Sequence, residues 1–240
     1  MGKQRRKHWT EKQVIVQGWD LSLNHAGFVE LVDGELGRFW YVSDRVGCAK
    51  RSKTGTLIKI PKCEDRMQES IDRILFWRKY LVEHAIRSCP AYVGIEDYAL
   101  DGGAHGAHYK GELGGIARLA ALDVKARVRL HDPGSVKMFT THRGDADKAW
   151  IEAAVKERWG VDFSRYNLPA KPGKKENRET SEDLADAFAV AQLVWTEIQL
   201  RRGTLMLSSL HEKEIQVFNR TTKAYPVNIL GREWITRRAA

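Results

Sequence analysis

Two acids inside an otherwise apolar helix constrain this chain more than any other feature. The stretch from Glu182 to about Leu200 is rich in Ala, Phe, Val and Leu and reads as a helix, yet it carries Asp183 and Asp186. Their i, i+3 spacing puts both carboxylates on one helical face, together with Val190 and Leu193. A carboxylate on a face that packs against a sheet must find a cation or a donor, or take up a proton. Two more acids close apolar, strand-like runs: Asp20 near the end of Val14–Leu21, and Glu96 directly after Ala91–Ile95.

Each acid also has a purely structural reading. Asp20 could cap the turn before Gly27. Glu96 could face solvent, leaving Asp97 as the buried acid. Asp183 stands three residues after Thr180, which is capping-box spacing. Asp186 is hardest to explain that way, because it lies past the first turn between Ala185 and Ala187, with no Lys or Arg four residues on. If the four converge, they form the oxygen ligand set of a hard divalent ion such as Mg²⁺ or Mn²⁺. Two such ions about 3.5–4 Å apart activate a water and stabilise the departing oxygen of a phosphodiester.

The remaining sequence narrows the class. With 42% apolar residues and 8 Trp in 240 residues, the chain has material for a packed core and is not disordered. No apolar run approaches the roughly 20 residues of a membrane span. The basic start, residues 1–13, lacks the apolar stretch of a secretory signal, and three unpaired-looking cysteines (Cys48, Cys63, Cys89) fit a reducing compartment, so a cytoplasmic location is expected. The net charge of +9 points to a polyanionic partner, nucleic acid first.

Periodicity divides the chain into a main domain over residues 14–202 and a C-terminal extension, 203–240, of no legible shape. Strands are expected at Val14–Leu21, Phe28–Val32, Phe39–Val42, Thr56–Ile60, Ala91–Ile95 and Ala126–Leu130. A Ser22–Gly27 turn would join the first two. Helices are expected at about 65–88, 110–122, 145–159 and 182–200. Residues 165–180, with Pro169, Pro172 and four Lys or Arg between Lys171 and Arg178, read as a mobile basic loop. Strands first, then helices alternating with strands, imply an α/β mixed sheet flanked by helices.

These motifs, in this order, resemble the RuvC family of Holliday-junction resolvases within the RNase H-like superfamily, its phage-type branch in particular. Gly18-Trp-Asp-Leu-Ser-Leu23 followed by Gly27 resembles the family's opening strand with its first catalytic acid. Tyr92-Val-Gly-Ile-Glu96 resembles the strand carrying the second. Gly111-Glu-Leu-Gly-Gly-Ile116 resembles the start of the following helix, near the family's dimer interface. Ser135-Val-Lys137 and Gly144-Asp-Ala-Asp-Lys148 match the stretch where lysines approach DNA, and Asp183-Leu-Ala-Asp186-Ala matches the last motif.

The resemblance implies a homodimer that nicks a four-way DNA junction in paired fashion. It also implies Mg²⁺, replaceable by Mn²⁺, with two ions held by Asp20, Glu96, Asp183 and Asp186. Contacts to DNA phosphate are expected from Lys137, Arg143 and Lys148, with Lys171, Lys174 and Lys175 adding to them from the basic loop. Tyr98 and Tyr109, in the His-rich stretch after Glu96, are expected to lie near DNA in a surface loop. His105-x-x-His108 lacks further ligands for zinc. No P-loop follows Gly111–Gly115, so no nucleotide cofactor is expected. Two alternatives keep the same fold: an RNA-processing or RNA–DNA hybrid nuclease, and a non-catalytic DNA-binding scaffold.

Overall fold

The computed structural model describes residues 13–22, 25–43, 55–57, 65–97, 104–167 and 178–237. Six strands form one sheet: β1 (Ile15–Leu21), β2 (His25–Val32), β3 (Glu35–Ser43), β4 (Gly55–Leu57), β5 (Tyr92–Glu96) and β6 (Arg127–His131), in the order β4-β3-β2-β1-β5-β6. β1, β2 and β3 are antiparallel neighbours, whereas β5 runs parallel to β1 and β6 parallel to β5. The β2–β3 hairpin closes on Asp33 and Gly34, whose φ values of 53° and 90° are those of a tight turn matching strand twist. Gly34 is required twice over, since a Cβ there would lie 2.2 Å from Trp195 Nε1.

Helices cover both faces. α1 (Arg66–Ser88) and α2 (Ala104–Asp123) bury Trp77, Leu81, Ala85, Leu113, Ala117 and Ala120 against Trp19, Phe28, Val93 and Ile95. On the other face lies α5 (Glu179–Arg202), whose burial is nearly continuous from Thr180 to Ile198. The sheet covers one of its sides. α3 (Pro133–Thr141), α4 (Lys148–Trp159) and the C-terminal segment cover the rest. A helix enclosed on all sides is apolar all round, which explains its composition. No helix among the described residues is long and apolar enough to cross a membrane.

Several expectations are corrected. β2 begins at His25, so the Ser22–Gly27 turn is shorter than expected and His25 is a strand residue. α2 begins at Ala104 instead of near 110, so the His-rich stretch is helical from there on. Its glycines read as a loop, but packing of the later turns on α1 outweighs their low helix propensity. α3 was not expected as a helix. It is only nine residues long, set by Asp132 as N-cap, Pro133 in its first turn and His142 as a left-handed C-cap. α4 starts at Lys148, after its N-cap Asp147, rather than at 145. The last helix starts at Glu179, so the end of the expected basic loop is already helical, while residues 168–177 lie outside the described residues. On α1, Met67, Ile71 and Leu75 face outward, and Trp77 is fully buried.

The C-terminal segment folds back on this core. α6 (Glu212–Asn219) buries Val217 and Phe218, and Ile235 bridges to Val128 at the free side of β6. Its clasp is a buried ion pair. Arg129 donates to Glu197 at 2.5 and 3.0 Å and to the carbonyls of Arg232 and Glu233, while Arg201 also donates to Glu197 at 2.8 Å. Breaking one side of such a pair leaves an uncompensated buried charge, costing about 3–5 kcal/mol. Glu197→Gln is therefore expected to lower the urea midpoint sharply and to open the chain beyond Gly203 to proteolysis first.

Candidate active site

Side-chain alternation places Asp20 and Glu96 together. Trp19 pairs with Ile95 across the parallel β1–β5 ladder, and both point into the α1–α2 side. The next residues, Asp20 and Glu96, therefore point to the α5 side on adjacent strands, at the carboxyl ends where α/β sheets bind ligands.

Glycines bring α5 down onto them. A Cβ on Gly18 would lie 2.0 Å from Ala187 O, and one on Gly27 would lie 2.4 Å from Asp183 O. At Gly94 it would lie 2.7 Å from both Val190 Cγ1 and Val194 Cγ2. Backbone-to-backbone approach at these positions seats Asp183 and Asp186 over the strand ends. Asp183 lies in the second turn of α5 and the helix N-cap is Arg178, so the capping reading of Asp183 is excluded.

The electrostatics reflect crowding of like charges. Burial, reinforced by Asp183, Asp186 and Glu96, pushes the Asp20 carboxyl well above its ordinary value. Burial and the charge of Asp186 raise Glu96 to about 7, and burial raises Asp186 to about 6. Asp183 goes the other way. Burial opposes its ionisation, but a hydrogen bond with His25 and the charge of Lys148 hold it below the usual range.

Those two partners grip opposite oxygens of Asp183. His25 Nδ1 lies 2.5 Å from Oδ2, and Lys148 Nζ donates to Oδ1 at 2.7 Å. His25 Nε2 in turn meets Glu179 Oε1 at 3.0 Å. Lys148 Nζ also lies 3.5 Å from Asp186 Oδ2, so one ammonium bridges the two helix acids. Those carboxylates hold it protonated, against partial desolvation of its ammonium.

The four acids expected from sequence lie near enough to act on one another's ionisation, and Lys148 pairs with the two on the helix. Lys137, on α3, is near enough for its charge to favour ionised Glu96. Arg143 is exposed, paired with Asp145 and stacked 4.7 Å over Trp150. The alternative acid, Asp97, accepts a hydrogen bond from the Tyr225 hydroxyl instead of joining the cluster. Tyr98, Lys171, Lys174 and Lys175 lie outside the described residues. Tyr109 falls within α2, and its side chain lies outside the described residues too. His25 and Glu179 were not foreseen; the only signal was a His two residues before the glycine that faces Asp183.

No protein-family model matches the chain, and no curated protein matches it in sequence. Solved structures do match. Thermus thermophilus RuvC superposes with a TM-score of 0.50 at 19% identity, over 80% of this chain and 97% of that one. The same protein in complex with a Holliday junction substrate gives 0.53 at 20% identity and the same coverage. The chain has the RuvC-like fold. Ydc2, the yeast mitochondrial Holliday junction resolvase, gives 0.51 at 12% identity, over 78% of this chain and 80% of that one. Within the RuvC-like fold, the carboxylate cluster sits where β1 and β5 end beneath α5.

Among the described residues, no three His, Cys, Asp or Glu side chains stand close enough to hold a metal ion as placed. The donor set nevertheless suits one in kind. Hard carboxylate oxygens, crowded until three of the four acids resist ionisation, are what a divalent cation relieves.

Proposed function

We propose that this protein is a metal-dependent endonuclease that resolves four-way DNA junctions. The observation that carries the reading is the convergence of Asp20, Glu96, Asp183 and Asp186 at the strand ends of a RuvC-like fold in a chain of net charge +9. Asp20, Glu96, Asp183 and Asp186 would hold Mg²⁺ or Mn²⁺, two ions in all. When bound, the ions supply an activated water and charge stabilisation for in-line phosphodiester hydrolysis.

The chain's own residues set up that chemistry. Asp20 and Glu96 are fixed by the sheet, Asp183 and Asp186 by α5, so the ligand set does not depend on loops. His25 and Lys148 fix the rotamer of Asp183 from both sides. Lys148, which pairs with Asp183 and Asp186, and Lys137, on the neighbouring α3 within reach of Glu96's charge, would contact DNA phosphate. Arg143 and the basic stretch with Lys171, Lys174 and Lys175 extend the phosphate contacts.

A homodimer would present two such sites to one junction. Its support is a stripe of exposed apolar side chains on α1: Met67 at 70%, Ile71 at 42% and Leu75 at 56%. These positions repeat every four residues, so they form one face, and exposed Leu119 on α2 adds to the apolar surface.

The test is cleavage of a labelled synthetic four-way junction with Mg²⁺ or Mn²⁺, beside linear duplex, Y-fork and RNA–DNA hybrid. Paired nicks in the junction, lost in Asp186→Asn while junction binding survives, are expected. Sedimentation should give a dimer that Leu75→Lys dissociates. Cutting of the hybrid alone would replace the proposal with a hybrid nuclease; binding without cutting of any substrate would leave only the scaffold.

A further inference from the structure

The row of residues that closes the α5 face of the sheet does not end at the carboxylates. It runs Gly27 on β2, its register partner Asp20 on β1, Glu96 on β5, and then His131 on β6, the register partner of Glu96. The first three are accounted for by helix approach and by the acid cluster. His131 is not. It is 1% exposed, and among the described residues neither ring nitrogen has a hydrogen-bond partner. A buried imidazole with both nitrogens unpaired is costly, and a native site of this kind calls for an occupant.

The ring lines a narrow cleft, about 10 Å³ in volume and so wide enough for one water-sized atom, open at its mouth between the core and the C-terminal segment. Asp132 and Ser135, with Arg220, Thr222, Tyr225 and Arg232, form its polar wall. Arg232 Nε is likewise buried with no hydrogen-bond partner among the described residues. The acids nearby are already engaged: Asp132 accepts from Ser135 N and Oγ and pairs with Arg220 at 3.4 Å, and Asp97 accepts from Tyr225. What remains unsatisfied among the described residues includes Arg232 Nε–H and the two nitrogens of the His131 ring, one a donor and one an acceptor. Burial first, then the charges of Arg129 and Arg232, keep His131 neutral, and Arg232 offers an anion its charge.

The position selects which anion. Neighbouring strands are about 4.8 Å apart, so His131 stands one strand beyond Glu96, displaced from the acid cluster by about one nucleotide of an extended strand. We propose that this cleft takes one oxygen of a phosphate seated at its mouth, namely the backbone phosphate next to the scissile one. The inference rests on the nuclease reading for its choice of DNA, but not for its choice of phosphate. It assigns the C-terminal segment a role: Arg220, Thr222, Tyr225 and Arg232 all come from it.

The test has two arms, both on the full chain without divalent metal. In the first, inorganic phosphate is titrated against chloride at constant ionic strength, and the ring nitrogens of His131 are followed by ¹⁵N NMR together with the melting temperature. Saturable shifts of the His131 resonances and a rise in melting temperature are expected, both absent in Arg220→Gln/Arg232→Gln. In the second, binding is measured to junctions carrying one neutral methylphosphonate at each linkage around the cleavage point. A several-fold weakening at the linkage beside the scissile one is expected, and the double variant should be indifferent to that substitution.

A response to inorganic phosphate with no linkage effect would keep the phosphate site but assign it to a free anion instead of DNA. That result in a protein binding no junction at all would fail the nuclease reading and spare the pocket. No His131 response in wild-type protein would overturn the proposal and leave an ordered water as the occupant.

Discussion

Asp20→Asn is expected to abolish junction cleavage and, in the same protein without metal, to raise the melting temperature. Cleavage should fall at least about 10³-fold, the loss that follows when some 4 kcal/mol of charge stabilisation leaves a transition state. Stability should move the opposite way because Asp20 is half-buried and faces the charges of Asp183, Asp186 and Glu96, with Lys148 as the opposing charge. Its folded-state carboxyl binds a proton more readily than the unfolded one, so at neutral pH it opposes folding. That penalty grows as pH rises above the ordinary value of 3.8 and is absent below it, where both states are protonated. The gain from Asn should therefore be present at pH 7 and vanish near pH 3–4. Each kcal/mol relieved corresponds to roughly 2–4 °C in a chain of this size. Added Mg²⁺ should reverse the order, stabilising wild type and leaving the variant unmoved. A variant that melts lower than wild type without metal, at neutral pH, would show that Asp20 is structural.

The second large effect is steric. Gly18→Ala puts a methyl group 2.0 Å from Ala187 O and 2.6 Å from Ala191 N, both backbone atoms of α5. Side chains can turn away from an overlap; a helix enclosed on all sides cannot. Overpacking of ordinary cores costs about 1–3 kcal/mol, and an unyielding backbone neighbour puts this case at or above the upper end. The urea midpoint should drop accordingly. What folds should also cleave poorly, because lifting α5 moves Asp183 and Asp186 away from Asp20 and Glu96. Gly115→Ala on α2 is the contrast: nothing lies within 4 Å of its Cβ, so a gain of about 0.5–1 kcal/mol from helix propensity is expected. Equal losses at Gly18 and Gly115 would contradict the close-approach account.

Much of this site was legible before any coordinates. Burial makes a carboxylate conspicuous, and Asp20, Glu96, Asp183 and Asp186 stood out because each sat where an apolar neighbourhood makes charge expensive. The long helices and the strands of the sheet were visible for a related reason: period 3.6 and apolar runs record which residues a sheet and its helices enclose. Both signals are local in sequence, written by the environment of each residue onto its immediate neighbours.

What lay beyond reach was pairing across long separations. His25 and Asp183 are 158 residues apart, and their contact depends on Gly27 letting α5 descend. Lys148 is a DNA contact only by the family resemblance; that its ammonium also meets Asp183 and Asp186 depends on the packing of α4 on α5. Short α3 carried too few turns to show a period, and its limits come from the two caps, Asp132 and His142. The C-terminal segment is held by Arg129 and Glu197, a pair that no local pattern links. The sequence by itself determined which residues must be enclosed and which charges enclosure would make reactive, because desolvation acts residue by residue. Only in the folded chain is it settled which charges face one another and that His131 finds no partner among the described residues, because Coulomb and hydrogen-bond energies depend on distances that folding sets.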